Sequence, residues 1–506
     1  MSDRPSESYA RYALGLLVVV YVLNFLDRQI LSILAERIKG DLGLSDAQIG
    51  FLYGTAFAVF YALFGIPLGR LADVWVRTRL IAIGLSVWSL MTGLSAFARD
   101  FAQLTAARIG VGVGEASANP AAYSLLSDYF PPARRATVLA IYSSGIYLGA
   151  GLGLGVGGLI VERWDAAYAG AVPPFGLKGW QVAFLAVGLP GIPLAAWVAT
   201  LREPRRGANE GHVDAADQPR PLAALFNELS AVLPPFTLVR LARLGGRSVA
   251  LTNLAIAAAV IVAVAVLIAL LGTPAQWIAL GIGCYSALSW AQSLRLRDPE
   301  AAAAIFDQPA LRLAGLGFAL LAFTGYGIGF WVPPYFLRER GISEAEAGML
   351  LGGTAAAAGW LGVTLGGLWA DRWHRSSAGA RSYVGIAAAL LPLPFVIGML
   401  RSESNAMAFA LNVLVGIGTS LWIGPGATTV QDAVPPRLRG TASAAYLLVV
   451  TFIGLALGPY TIGRLSVALG DLREAMLWAL VVNPIAALLL WRASVHHRGT
   501  QRRTEG

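Results

Sequence analysis

Runs of about twenty apolar residues recur along the whole of this 506-residue chain, each long enough to cross a bilayer as a helix. Nothing else in the sequence restricts the fold so far. Fourteen spans are expected, at about 10–34, 49–70, 80–98, 101–126, 136–161, 181–201, 248–271, 275–293, 310–336, 347–369, 383–400, 406–430, 440–466 and 472–492. Only 13% of the residues are charged, against roughly a quarter in ordinary soluble domains. The chain reads as an all-α, polytopic membrane protein.

The formal charge of +9 could fit a nucleic-acid partner, but its placement argues against one. With the N-terminus inside, 26 of the 38 arginines and lysines fall on the cytoplasmic side and 10 outside, with Arg28 and Arg108 within the membrane. That is the positive-inside asymmetry, with both termini cytoplasmic in a bacterial-type inner membrane. The single cysteine, Cys284, lies in a span, while His212, His374, His496 and His497 fall in loops. Neither a thiol metal site nor a histidine proton relay is expected. No GxxxxGK[ST] string occurs and Lys39 and Lys178 are the only lysines, so ATP is not the expected energy source and no cofactor is foreseen. The first span is too long for a signal-peptide core.

The chain is written twice. "PLGRLADVWVRTRL" (67–80) follows the second span and "LGGLWADRWHR" (365–375) follows its counterpart, each with glycine four residues before aspartate: Gly69 with Asp73, Gly367 with Asp371. "FPPARRATVLAIYSSGIYLGAGLGLG" (130–155) is echoed by "VPPRLRGTASAAYLLVVTFIGLALGP" (434–459). Two motifs repeated in order imply two six-helix halves in parallel orientation, 1–201 and 310–492, with a cytoplasmic tail at 493–506. Between them, 202–309 holds a polar cytoplasmic linker and an extra transmembrane hairpin at about 248–293, a spacer or peripheral element.

This architecture resembles the major facilitator superfamily over nearly the whole length. More narrowly, "LNFLDRQILSIL", "LSDAQIGFLYGTAFAVFYALFGIPLGRLAD" and "ARIGVGVGEASANP" are similar to the spinster lipid transporters, all within the first half. Sugar-acid and organic-anion symporters carry similar strings. Val74 stands after Asp73 where the family has arginine, which weakens a charge relay in the first loop; the second copy keeps Asp371 and Arg372.

Four ionisable residues fall inside spans of the first half, where a charge costs roughly 2.5–3.5 kcal/mol and so marks a pathway or an interior partner. Asn24, Asp27, Arg28 and Leu31 follow i, i+3, i+4, i+7 on the first span; Arg108, Gly112, Glu115 and Asn119 follow i, i+4, i+7, i+11 on the fourth, again one helix face. Counting about 1.5 Å per residue puts Asp27, Arg28 and Arg108 at one level and Glu115 roughly two turns deeper. The four charges cancel. They either tie the two helices together or act as a switch, in which a protonated carboxylate leaves the cluster positive and favours an anionic headgroup. The spinster resemblance implies proton sensing at Asp27, headgroup contact at Arg28 and an essential acid at Glu115.

The second half carries essentially no charge within its core spans. It offers Phe323, Tyr326, Phe330, Trp331, Trp360, Trp422 and Tyr446 among alanines and glycines. A charged wall facing an apolar one suits an amphiphile, with Arg28, Arg108, Asn24, Tyr326, Phe330, Trp360 and Trp422 as binding residues. Gly149, Gly153 and Gly157, and Gly454 and Gly458, are spaced by four, which permits close helix contact. The superfamily resemblance implies that the fifth and eighth helices, and the second and eleventh, slide there during alternating access. Asp73, Gly69, Asp371, Arg372 and Gly367 would form the gate.

The sequence thus points to a monomeric, proton-coupled secondary transporter of a lysophospholipid or sphingolipid-like amphiphile, and not to an enzyme. A symporter of a small organic anion or sugar acid is the alternative. A non-transporting sensor on the same fold is a third class.

Overall fold

The computed structural model describes residues 6–206, 221–374, 379–435 and 438–505. His212 and the middle of the expected linker, Arg375, and Pro436 and Arg437 of the second Pro-Pro motif lie outside them. The described residues are helical almost throughout and contain no strand. The helices are α1 (Glu7–Leu42), α2 (Asp46–Val74), α3 (Arg77–Ser95), α4 (Phe101–Glu115, resuming as Ala118–Tyr129), α5 (Pro132–Ala167) and α6 (Gly179–Ala199). A short α7 (Pro221–Val232) leads to α8 (Phe236–Leu271) and α9 (Pro274–Arg297). Then come α10 (Pro309–Arg340), α11 (Glu344–His374), α12 (Ala380–Arg401), α13 (Asn405–Asp432), α14 (Arg439–Leu469) and α15 (Leu472–His496).

Twelve helices among the described residues are long and apolar enough to cross a membrane. They include α8, the first arm of the inserted pair, but not α9 or the interrupted α4. The polarity of α9 has identifiable uses. Asn253 of α8 donates to Ser289 (2.9 Å) and Gln292 (3.0 Å) and accepts from Tyr285 (2.6 Å), a clasp between the two arms. Gln276 accepts from Thr55 of α2 at 2.6 Å, and the same hydroxyl reaches the Ala456 carbonyl of α14. Near the start of α8, Gly246 takes φ +72°, a left-handed conformation that glycine adopts without strain.

The chain divides into two compact units that do not coincide with the two sequence halves. Unit 1 holds 1–42, 60–237 and 343–352; unit 2 holds 43–59, 238–342 and 353–506. The first turns of α2 therefore pack with the second half, and those of α11 with the first.

The glycine spacing explains how, with a correction. In unit 1, Gly149, Gly153 and Gly157 face α1: a β-carbon on Gly153 would come within 2.8 Å of the Leu26 carbonyl, and one on Gly157 within 2.8 Å of Ile33. A second glycine face of the same helix, Gly151, Gly155 and Gly158, meets Gly352, Gly348 and Glu344 of α11. In unit 2, Gly454 and Gly458 lie on Ala322 and Phe323 of α10, whereas the approach of α2 to α14 runs through Gly50 and Gly54, against Pro459 and Leu455. The expected glycine stripes thus fix neighbours within each half. Other glycines make the exchanged contacts.

Polar groups close these exchanged packings. Asp46, at the start of α2, accepts both guanidinium nitrogens of Arg338 at 2.8 Å and the Ser466 hydroxyl at 2.7 Å. In unit 1, Arg37 donates to Glu344 at 2.6 Å, and Glu162 accepts the Ala345 backbone N–H at 2.9 Å. A carboxylate there also complements the positive end of the helix dipole.

Candidate functional site

Successive helical side chains point about 100° apart, so Asp27 and Arg28 cannot serve the same neighbour. Asp27, with no exposed surface, turns to α3 and accepts from Thr92 Oγ1 at 3.1 Å. Its other carboxylate oxygen has no hydrogen-bond partner. Arg28 turns to α4, where its Nη2 donates to Glu115 Oε2 at 2.6 Å. Glu115 was expected roughly two turns deeper than Arg28, yet the two side chains meet directly. Arg108 is fully buried and lies within electrostatic reach of both carboxylates, with Asn24 beside Glu115. The cluster therefore uses three helices, not two, and Thr92 on α3 is the member that the two-helix spacing could not reveal.

Aromatic residues of the same half surround the cation. The Arg28 guanidinium lies 4.7 Å from the Phe25 ring centre and 5.2 Å from that of Tyr61. Asn119 links onward, donating to Tyr61 Oη at 3.3 Å and accepting from Tyr142 Oη at 3.0 Å. Tyr142 stacks on Tyr21 at 4.3 Å. The sequence placed rings mainly in the second half, yet those nearest the charge belong to the first. An arginine between a carboxylate and two ring faces is suited to an anionic group carried on an apolar body.

In unit 2, Phe330 is fully buried, stacked on Tyr53 at 4.2 Å. Trp331 next to it donates to the Pro459 carbonyl at 2.8 Å. Tyr326 is half-buried, Trp360 is 55% exposed, and Trp422 packs on Phe318 at 6.5 Å. Tyr446 is buried against Gly426.

Of the loop residues, Asp73 is exposed and 3.5 Å from Arg70, one turn back. Gly69 rests on Pro120 at van der Waals distance. Asp371 and Arg372 are exposed at the end of α11, and Gly367 has open space around it. The buried charge near the first loop is instead Arg77, at the start of α3. It bonds Glu203 (2.6 Å), Ser124 (2.8 Å), the Pro204 carbonyl (3.1 Å) and the Asp128 carboxylate. The second half repeats the pair, with Arg381 at the start of α12 bonding Asp432. Asp128 and Asp432 each stand three residues before a Pro-Pro, a signal present in the repeated motif. Arg77→Ala is expected to destabilise the protein by about 1.5–3 kcal/mol, since it removes a buried guanidinium whose hydrogen bonds go to the partly exposed Asp128 and Glu203 carboxylates. Thermal unfolding in detergent measures this, and an unchanged midpoint would remove Arg77 from that role. No cluster of metal-ligating side chains occurs among the described residues.

Residues 17–459 match the Major Facilitator Superfamily. An "MFS-type efflux pump" of Mycolicibacterium smegmatis is 27% identical over 98% of this chain and 95% of its own. "Protein spinster homolog 1" of Xenopus laevis is 25% identical over 91% and 74%. The hexuronate transporter of Bacillus subtilis is 30% identical, over 36% of this chain and 40% of its own. Among solved structures, a bacterial homologue of the human lysosomal transporter Spinster, inward-facing and unoccupied, superposes with a TM-score of 0.74 at 27% identity. It covers 98% of this chain, which covers 99% of it.

Proposed function

From the premise that this chain belongs to the Major Facilitator Superfamily, we propose that it is a proton-coupled secondary transporter of a single-chain amphiphilic lipid, of lysophospholipid or sphingolipid type. The observation that carries this reading is Arg28, held between the Glu115 carboxylate and the faces of Phe25 and Tyr61. An anionic headgroup can exchange with Glu115 at the guanidinium while the apolar body lies on the rings. Asp27, outside that exchange but beside Arg108, is the carboxylate available to carry a proton. Relatedness to spinster along most of the chain favours this over the sugar-acid alternative, which rests on a relative matched over about a third of it.

Alternating access then opens and closes two ends. In this reading the Asp46–Arg338–Ser466 and Arg37–Glu344–Glu162 contacts lock the outer end. Gly69, Asp73, Gly367, Asp371 and Arg372 serve the inner one. The protein is placed in an inner membrane as a monomer with both termini cytoplasmic and fourteen spans, α8 and α9 included.

Purified protein in sealed vesicles tests the reading against its alternative. Single-chain lipids with phosphate-bearing heads are expected to be taken up and to shift thermal unfolding, with affinity rising with tail length. Each methylene removed from water contributes roughly 0.8 kcal/mol. Competition by glucuronate-like compounds, with indifference to lipids, would transfer the assignment to the sugar-acid class.

A further inference from the structure

The inserted pair meets the rest of unit 2 unevenly along its length. Over its first turns α9 is locked to its neighbours. Gln276 accepts from Thr55, and Trp277 meets the Tyr460 ring edge-on at 5.6 Å. Gly283 faces Phe452 of α14, whose ring would stand 3.0 Å from a β-carbon placed there. Beyond Gly283 the walls draw apart. α14 is π-helical over Val450–Ala456, an insertion of the kind that redirects a helix.

Two cavities of unit 2 lie where the helices part. One, of about 490 Å³, is bounded by α8, α9 and α14; the other, of about 290 Å³, by α10, α13 and α14. They share a wall, since Phe306, Ala445 and Val449 line both. Phe306 belongs to the short connection from α9 to α10 and meets Trp290 edge-on at 6.3 Å.

Each cavity has one arginine in its lining. Arg295 stands in the last turn of α9 and Arg312 in the first turn of α10, so both lie at one membrane surface, the cytoplasmic one in the topology above. The remaining lining is apolar except for Thr252, Gln292 and Tyr446, and Gln292 already bonds Asn253 and the Val249 carbonyl. Such walls do not hold water well, which needs two or more polar partners. Both arginines are exposed. Arg312 pairs with no carboxylate among the described residues. Arg295 is 3.1 Å from Asp307, but the two side chains are 60% and 59% exposed, and such a pair holds its charge weakly.

We propose that this end of the inserted pair holds a resident two-chain anionic phospholipid of the surrounding bilayer. Its headgroup lies at Arg295 and Arg312, and one acyl chain enters each cavity, on either side of Phe306. Two apolar cavities with a common wall match two chains on one glycerol. Two available guanidiniums at the cytoplasmic surface match a phosphate there. This lipid is not the cargo: it stays, and joins α9 to α14 where side chains do not. The site lies wholly within unit 2 and stands whether or not the cargo is a lipid.

The test titrates full-length protein in detergent with diacyl phosphatidylglycerol, diacyl phosphatidylcholine and lysophosphatidylglycerol, reading thermal unfolding. The wild type is expected to bind the diacyl anionic lipid more tightly than the zwitterionic one. Arg295→Gln and Arg312→Gln should each weaken phosphatidylglycerol about fivefold and leave phosphatidylcholine unchanged. Arg243→Gln, an exposed arginine of α8 outside both cavities, should change neither. Gly315 lines the smaller cavity with open space around it, so Gly315→Leu fills that cavity and should weaken both diacyl lipids but not the lyso form. No preference for phosphatidylglycerol in the wild type, or equal losses in Arg243→Gln, overturns the headgroup assignment. Unchanged diacyl binding in Gly315→Leu, or an equal loss of the lyso form, overturns the two-chain assignment. Should Gly315→Leu fail to fold, the exposed arginine variants still decide whether the site exists.

Discussion

Asp27→Asn is expected to abolish accumulation driven by a proton gradient while leaving exchange of cargo across the membrane intact. Asparagine keeps the shape of the side chain and can still accept from Thr92, so the packing of α1 on α3 is preserved. What is lost is the ability to gain and release a proton. With one proton moved per cargo, a one-unit pH difference is worth about 1.4 kcal/mol, enough to sustain roughly a tenfold cargo gradient. In vesicles with an imposed pH difference, the wild type should build that gradient and the variant none, with counterflow continuing in both. Glu115→Gln should behave differently, because Glu115 is the hydrogen-bonded counter-ion of Arg28. Its loss strips a buried guanidinium of its counter-ion and should disturb cargo binding before coupling. Wild-type pH dependence in Asp27→Asn would take Asp27 out of the coupling role, whatever the effect of Glu115→Gln.

The helices and their repeat were legible because the membrane imposes its own length scale and because motifs recur in order. The adjacency of Asp27 and Arg28 was legible as an anomaly, since no apolar span tolerates two charges without partners. The partners were another matter. Spacing by four says that a helix face is small enough for close approach, not which helix approaches. α5 has two such faces, and the regular one, Gly149, Gly153 and Gly157, lies on α1 while the irregular one meets α11. Charges at span ends, such as Asp46 and Arg77, look solvated in a sequence. Only tertiary packing buries them, although the Asp128 and Asp432 positions before each Pro-Pro could have been aligned. Thr92 carried no signal at all, being one hydroxyl in an apolar span. The polar residues of α9 did carry one: Gln276, Ser289 and Gln292 in a predicted hairpin imply partners, which turn out to be Thr55 and Asn253.

Removing the Arg28 guanidinium should change what is carried more than whether the protein folds. The side chain bonds Glu115 and lies over Phe25 and Tyr61, so Arg28→Ala alone would strand a buried carboxylate and confuse stability with selectivity. The informative comparison pairs Arg28→Ala with Glu115→Gln, which removes both charges together, and sets it beside Arg28→Lys. A hydrogen bond to a charged group is worth about 1.5–3 kcal/mol, so the double variant should bind phosphate-headed lipids about ten- to a hundredfold more weakly. Neutral amphiphiles of the same tail length should lose far less, because their contribution comes from apolar area and not from the cation. Lysine should restore only part of the loss, as it keeps the charge without the planar fork that matches phosphate oxygens. Direct binding across matched anionic and neutral lipids reads this out. Equal weakening of both classes would mean that Arg28 holds α1 against α4 and does not meet the headgroup. The charge selectivity would then have to come from Arg108, the other buried arginine of the cluster.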